Sequence, residues 1–232
     1  MPVGSPAVVL FDIDGTLLRR SGPHHRHALV EAVRRVTGLH APLDHIPLQG
    51  MLDRAILHTM LEDVGVSRAR ILRLMPSLVH HAQRVYLAQK PPALHDKVCP
   101  GARTALRRLT RIGVPMGLVT GNLSRIGWAK LERAGLREFF RFGAFAEMAH
   151  DRAGLVRLAM AHARRRGWLR NGAAVWLVGD HQNDIEAARA NRIRILSVAT
   201  GVQPRQELEA HKPDLLFDDL RSFEPGVLWS NS

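Results

Sequence analysis

Four short apolar runs, each closed by polar or turn-forming residues, constrain this chain more than any other feature. They are Ala7-Val8-Val9-Leu10-Phe11, Val114-Pro115-Met116-Gly117-Leu118-Val119, Ala173-Ala174-Val175-Trp176-Leu177-Val178 and Ile193-Arg194-Ile195-Leu196-Ser197-Val198. Apolar runs of this length that do not alternate with polar residues suit strands buried on both faces. Phe142 to Phe145 and Asp214 to Phe217 are weaker strand candidates. Helical patterns run from Ala102 to Arg111, Ser124 to Ala134, Ala153 to Arg166 and Ile185 to Ala190. Strand alternating with helix is the sequence form of a parallel sheet with helices on its faces, so the expected fold class is α/β.

The stretch between the first and second runs breaks this alternation. From residue 19 to 96 only helical patterns occur, over Ala28 to Val36, Leu52 to Val64 and Ala69 to Ala88. Polar, turn-prone tethers bound it, Arg19-Arg20-Ser21-Gly22-Pro23 on one side and Lys90-Pro91-Pro92 on the other. Paired prolines favour extended backbone and separate folded units. We therefore expect an α/β core from residues 1–18 and 97–232 and a helical cap domain from 19–96.

At 232 residues and 46% hydrophobic content the chain is long and apolar enough to bury a core, which excludes a disordered or collagen-like protein. Formal charge is +12, and 29 of the 33 basic residues are Arg. Residues 19–95 carry eleven basic against five acidic side chains and nine of the thirteen His, so a cap built from them presents an electropositive mouth to anionic substrates. A helical bundle with a solvated basic face accounts for the same charge. The single Cys99 excludes a disulfide scaffold or a zinc ribbon and fits a reducing compartment. No run approaches the ~18 apolar residues of a membrane span. The expectation is a cytoplasmic protein that does not contact membranes.

Chemistry concentrates where strands end. Directly after the first run come Asp12-Ile13-Asp14-Gly15-Thr16-Leu17, and in an open parallel sheet the functional crevice lies beyond the carboxyl ends of the strands. Two nearby carboxylates repel each other in poorly screened surroundings, and a hard divalent cation relieves the repulsion. The third run also ends in acid, in Val178-Gly179-Asp180-His181-Gln182-Asn183-Asp184. One helical turn separates Asp180 from Asp184, so both can address one locus, although helix capping is the plainer use of such residues. The second run ends in Val119-Thr120-Gly121-Asn122 before a helix, a hydroxyl, a Gly, an amide and helix amides that together suit a phosphate.

Through Asp12-Ile13-Asp14-Gly15-Thr16, Thr120-Gly121-Asn122 and Gly179-Asp180-x-x-x-Asp184, the chain resembles the haloacid dehalogenase-like hydrolase superfamily. Its helical insert is similar to the cap of the branch that includes phosphoglycolate phosphatase-like enzymes, and Gly50-Met51-Leu52-Asp53 is similar to a short cap-loop pattern of that branch. The resemblance implies a Rossmann-like doubly wound parallel sheet with an inserted all-helical cap domain. It implies a Mg²⁺-dependent phosphatase acting on a small phosphorylated metabolite. Asp12 is then the nucleophile and Asp14 the general acid and base. The metal residues are Asp12, Asp14 (through its backbone carbonyl), Asp180 and Asp184, the last orienting the site or a metal-bound water. Thr120, Gly121 and Asn122 bind the phosphoryl group.

One departure from the family pattern stands out. The family places a Lys between its second and fourth motifs, and residues 142–180 contain none. Arg152 is the best positional substitute, because Arg stays charged and can grip phosphate with two arms. Lys130 is a second candidate, although its place within a helix favours a surface role. Asp14 itself argues for phosphate esters over halides, since carbon–halogen displacement needs no proton delivered to a leaving oxygen. A β-phosphoglucomutase-like mutase shares the nucleophile and acid, and a basic nucleic-acid-binding protein that kept only the fold is the non-enzymatic alternative. The acids at the strand ends argue against nucleic acid as a partner, because an inactive site has no need of clustered negative charge. His24, His25 and His27 form a metal-capable cluster, but adjacent histidines beside Pro23 more often begin a solvated helix. The sequence leaves the oligomeric state open.

Overall fold

The computed structural model describes residues 7–19, 22–169 and 172–229. Six strands form one fully parallel sheet in the order β3-β2-β1-β4-β5-β6: β1 Ala7–Phe11, β2 Met116–Val119, β3 Phe142–Ala144, β4 Ala174–Gly179, β5 Arg194–Val198 and β6 Leu215–Phe217. Both weaker strand candidates are therefore strands, at the two edges of the sheet. The apolar runs lack alternation because each face of the sheet is covered. Val8, Leu10, Val175 and Leu177 join one buried layer, while Val9, Phe11, Trp176 and Val178 join the other.

Helices α1 (His24–Thr37), α2 (Asp53–Asp63) and α3 (Arg68–Ala88) fall between β1 and the rest of the core, where the sequence shows only helical patterns. They pack on one another, and α3 also meets α5 (Ser124–Arg133). The remaining helices are α4 (Ala102–Arg111), α6 (Arg152–Arg165), α7 (Gln182–Ala190) and α8 (Arg205–Ala210). Helix α4 covers the face of Val9 and Phe11, whereas α6 and α7 cover the face of Val8 and Leu10. The sequence pattern does not reveal α8, a short helix in which Leu208 alone is buried. Helix α7 starts three residues before its apolar pattern because His181 caps it, its ring accepting from the Asn183 amide while Asp184 accepts from the His181 amide.

The sheet order decides where function can sit. The chain runs from β1 outward through β2 to β3, then returns to the other side of β1 and continues through β4, β5 and β6. The crevice of such a sheet opens at this reversal, between β1 and β4. Phe11 pairs with Leu118 on one side and Val178 on the other, so the residues after β1, β2 and β4 emerge side by side.

Candidate active site

Asp12 follows β1 and Asp180 follows β4, at the two strands that flank the reversal, and Asp184 lies in the first turn of α7. Each offers one oxygen within 4.8 Å of the others, and all three side chains are buried. Glycines allow this crowding. A Cβ on Gly15 would lie 2.0 Å from Asp180 Oδ2, and one on Gly201 only 1.8 Å from the same atom. Gly15 also adopts φ +90°, a backbone conformation that side chains rarely accept. Thr16 donates its hydroxyl to Asp180 Oδ1 at 2.8 Å.

Burial raises the pKa of all three acids, and at Asp12 and Asp180 the neighbouring carboxylates add to it. Burial pushes Asp12 up from 3.8 to about 6, with Asp184 and Asp14 adding to the effect and Arg152 opposing it. Burial, then the neighbouring Asp12 and Asp184, holds Asp180 well above the usual carboxylate value. Asp184 is raised mainly by burial, although Arg152 pulls it back. Raised values on adjacent buried carboxylates mark a place where positive charge is wanted. Three hard oxygen donors within reach of one point suit Mg²⁺ or a similar ion, so this donor set fits the metal that the resemblance implies.

Arg152 supplies part of that charge. It opens α6 and is buried, with Nη1 2.7 Å from Asp184 Oδ1 and 3.4 Å from Asp12 Oδ1. Its Nη2 reaches the Gly50 carbonyl at 3.4 Å. Burial alone would lower its pKa, but Asp184, Asp12 and Asp180 more than reverse that, so the guanidinium stays charged. The fold thus brings Arg152 beside Asp12.

Asp14 faces a different set of groups. Its carboxylate takes the Lys130 ammonium at 2.8 and 2.6 Å and the Asn122 amide at 2.7 Å. Burial favours a high pKa here, but Lys130 and His25 outweigh it and bring Asp14 below its usual value. Lys130 is only 1% exposed, which corrects the surface role its helical position suggested. The signal was present in the sequence: Ile126, Lys130 and Ala134 recur every four residues on one helical stripe, and all three are buried.

Thr120 and Asn122 are buried at the end of β2, and Asn122 donates to Thr120 Oγ1 at 2.8 Å. The neighbouring helix amides, which the sequence suggested for a phosphate, have other partners. Leu123 N binds Asp53 Oδ2 at 2.8 Å, Ser124 N binds Glu147, and Arg125 N binds Gln83 at 2.8 Å. Asp53 and Gln83 belong to α2 and α3, so the helical insert docks on the first turn of α5. The loop before α2 lies directly on the site. The Met51 carbonyl would be 2.3 Å from a Cβ on Gly121, and Gly50 accepts from Asn183 at 2.8 Å. Asp53, seen in the sequence only within a cap-loop pattern, and His25, seen only in a histidine cluster, both reach this network. His25 sits four residues before the buried Leu29 on α1, which turns it inward rather than into solvent. Cys99 is buried, and burial raises its thiol pKa to about 11, so it is a packing residue without nucleophilic character.

A model of the haloacid dehalogenase-like hydrolase family matches residues 6–191. The chain belongs to that family. Among its relatives, a phosphoglycolate phosphatase of Pseudomonas putida is 28% identical over 95% of this chain and 79% of its own length. One from Synechococcus elongatus is 29% identical over 90% of this chain and 92% of its own. A solved β-phosphoglucomutase from Clostridium difficile shares the fold with a TM-score of 0.68 at 16% identity, over 95% of this chain and 94% of that one. The protein is an enzyme, a haloacid dehalogenase-like phosphatase, and its α/β class with a helical insert is that of the family. Among the described residues, no helix is long and apolar enough to cross a membrane.

Proposed function

We propose that this enzyme hydrolyses a small phosphomonoester through an aspartyl-phosphate on Asp12, with Mg²⁺ as cofactor, in the cytoplasm. The observation that carries the reading is the buried trio Asp12, Asp180 and Asp184, closed by Arg152 and with Asp14 two residues beyond the nucleophile. Asp12, Asp180 and Asp184 would hold the ion, with the Asp14 backbone carbonyl as the resemblance implies. The ion would supply charge neutralisation at the phosphoryl oxygens.

Asp12 attacks phosphorus in line, and the bond to the ester oxygen breaks as Asp14 delivers a proton to that oxygen. Arg152 lowers the repulsion between the nucleophile and an incoming dianion. Asp14 then takes a proton from the water that attacks the phosphoryl-enzyme, and phosphate leaves with Asp12 restored. Thr120, Gly121 and Asn122 line the phosphoryl position. Residues 19–96 act as the cap that excludes water from the intermediate. The curated relatives' substrate, phosphoglycolate, is the first compound to try, and the basic helical insert suits such anions.

The test is inorganic phosphate release from a panel of phosphorylated metabolites, with and without EDTA and with Asp12→Asn as blank. Release that depends on Mg²⁺ and vanishes in the blank is expected. Equal release by the wild type and the blank would refute the reading, and isomerised sugar phosphate without net release would replace it with a mutase.

A further inference from the structure

Lys130 does not stand beside the nucleophile, where the family's usual lysine belongs; Arg152 occupies that place. Its ammonium has three N–H donors and three partners: the Asp14 carboxylate, Asn122 Oδ1 at 2.7 Å and His25 Nδ1 at 3.1 Å. Asn122 is fixed in turn, its amide nitrogen donating to both Asp14 and Thr120 while its oxygen accepts from Lys130. His25 presents an acceptor to Lys130 and its other ring nitrogen to Asp53 Oδ2 at 2.8 Å, and Asp53 also holds the Leu123 amide. This polar network leaves no donor of Lys130 unused. The Asp14 side chain is held by Lys130 and Asn122 yet remains 40% exposed.

A buried ammonium is a poor device for stability alone, because desolvation offsets most of what its ion pair returns. We propose that Lys130 is a positioning residue for the acid–base step. It fixes where the Asp14 carboxyl group meets the ester oxygen when protonated and the hydrolytic water when ionised, and it is itself held by His25 and Asp53 only while the helical insert is seated on the core. Lys130 neither gains nor loses a proton in this role. Asp14, which Lys130 and His25 hold below its usual pKa, must take up a proton before the acid step; that proton passes to the leaving oxygen as the phosphorus–oxygen bond breaks, and another returns to Asp14 from the attacking water.

This inference rests on the phosphatase reading, and its test separates the two. Single-turnover phosphorylation of the Mg²⁺-loaded enzyme is measured with phosphoglycolate, whose leaving alkoxide needs a proton, and with p-nitrophenyl phosphate, whose leaving group hardly does. For Lys130→Met we expect a loss of roughly 100-fold with phosphoglycolate, at the low end of what general acid catalysis contributes, and a loss at least tenfold smaller with the aryl ester. KM should move by less than about twofold, and Lys130→Met should add nothing in an Asp14→Asn background. Lys130→Gln, which keeps a donor toward Asp14, should recover part of the loss. Equal losses on the two esters, or additive losses with Asp14→Asn, would overturn the assignment. So would failure of both Lys130 variants to give a cooperative thermal transition, which would make the residue a scaffold element. Activity that survives in Asp12→Asn would overturn the phosphatase reading itself.

Discussion

Asp12→Asn should be inactive on the proposed mechanism and, with metal removed, more stable than the wild type. The pKa of Asp12 stands at about 6 in the folded protein against an ordinary 3.8. At ~1.4 kcal/mol for each pKa unit, keeping this carboxylate ionised in the fold costs about 3 kcal/mol above pH 6. Asp12→Asn keeps the shape and removes the charge. In EDTA at pH 7.5 the variant should therefore melt higher than the wild type by roughly 6–12 °C, taking 2–4 °C per kcal/mol for a chain of this size. The gap must also depend on pH in a particular direction. The unfolded chain loses its proton near pH 4 and the folded one near pH 6, so the wild type loses stability as pH rises through that window and the penalty is absent below it. At pH 5 the difference should shrink to about half, and saturating Mg²⁺ should close it by binding the wild type more tightly. Scanning calorimetry at pH 5 and 7.5, with EDTA and with Mg²⁺, measures all four conditions. A variant that melts at or below the wild type in EDTA, or a gap indifferent to pH, would refute the claim that Asp12 is held ionised at a cost.

Other substitutions probe the same site from its edges. Arg152→Ala removes the cation that touches Asp184 at 2.7 Å and Asp12 at 3.4 Å, and should destabilise the metal-free protein by about 3–5 kcal/mol in urea titration, with part of the loss restored by Mg²⁺. Gly201→Ala places a methyl 1.8 Å from Asp180 Oδ2 and should weaken Mg²⁺ binding by roughly 10- to 100-fold in calorimetric titration while the fold survives. Asp53→Ala strips the acceptor shared by the Leu123 amide and His25, at a cost of about 1–3 kcal/mol of stability by urea titration.

What the sequence revealed and what it hid follow from the range of the interactions. The strands were legible because a sheet covered on both faces excludes polar residues from Val8 to Phe11 and from Val175 to Val178, and no partner is needed to see that. Asp12 and Asp180 were legible because acids that end buried strands need compensation wherever the chain goes next. Arg152 was found as a positional substitute, and the fold placed it where charge demanded it. Lys130 reads from the sequence as a surface residue because a cation on a helix is usually solvated, and its partner Asp14 lies 116 residues away. His25 was read the same way, as the start of a solvated helix, although Leu29 and Ala32 on its stripe are buried. In both cases one charged or titratable residue interrupts an otherwise buried stripe. Burying such a group without a partner is costly, so the interruption itself signals a partner elsewhere in the chain. Had that rule been applied to α1 and α5, it would have turned His25 and Lys130 inward. It would not have paired them with each other and with Asp14, because that pairing depends on the reversal of the sheet at β1 and on the seating of α1 and α2 over the end of β2.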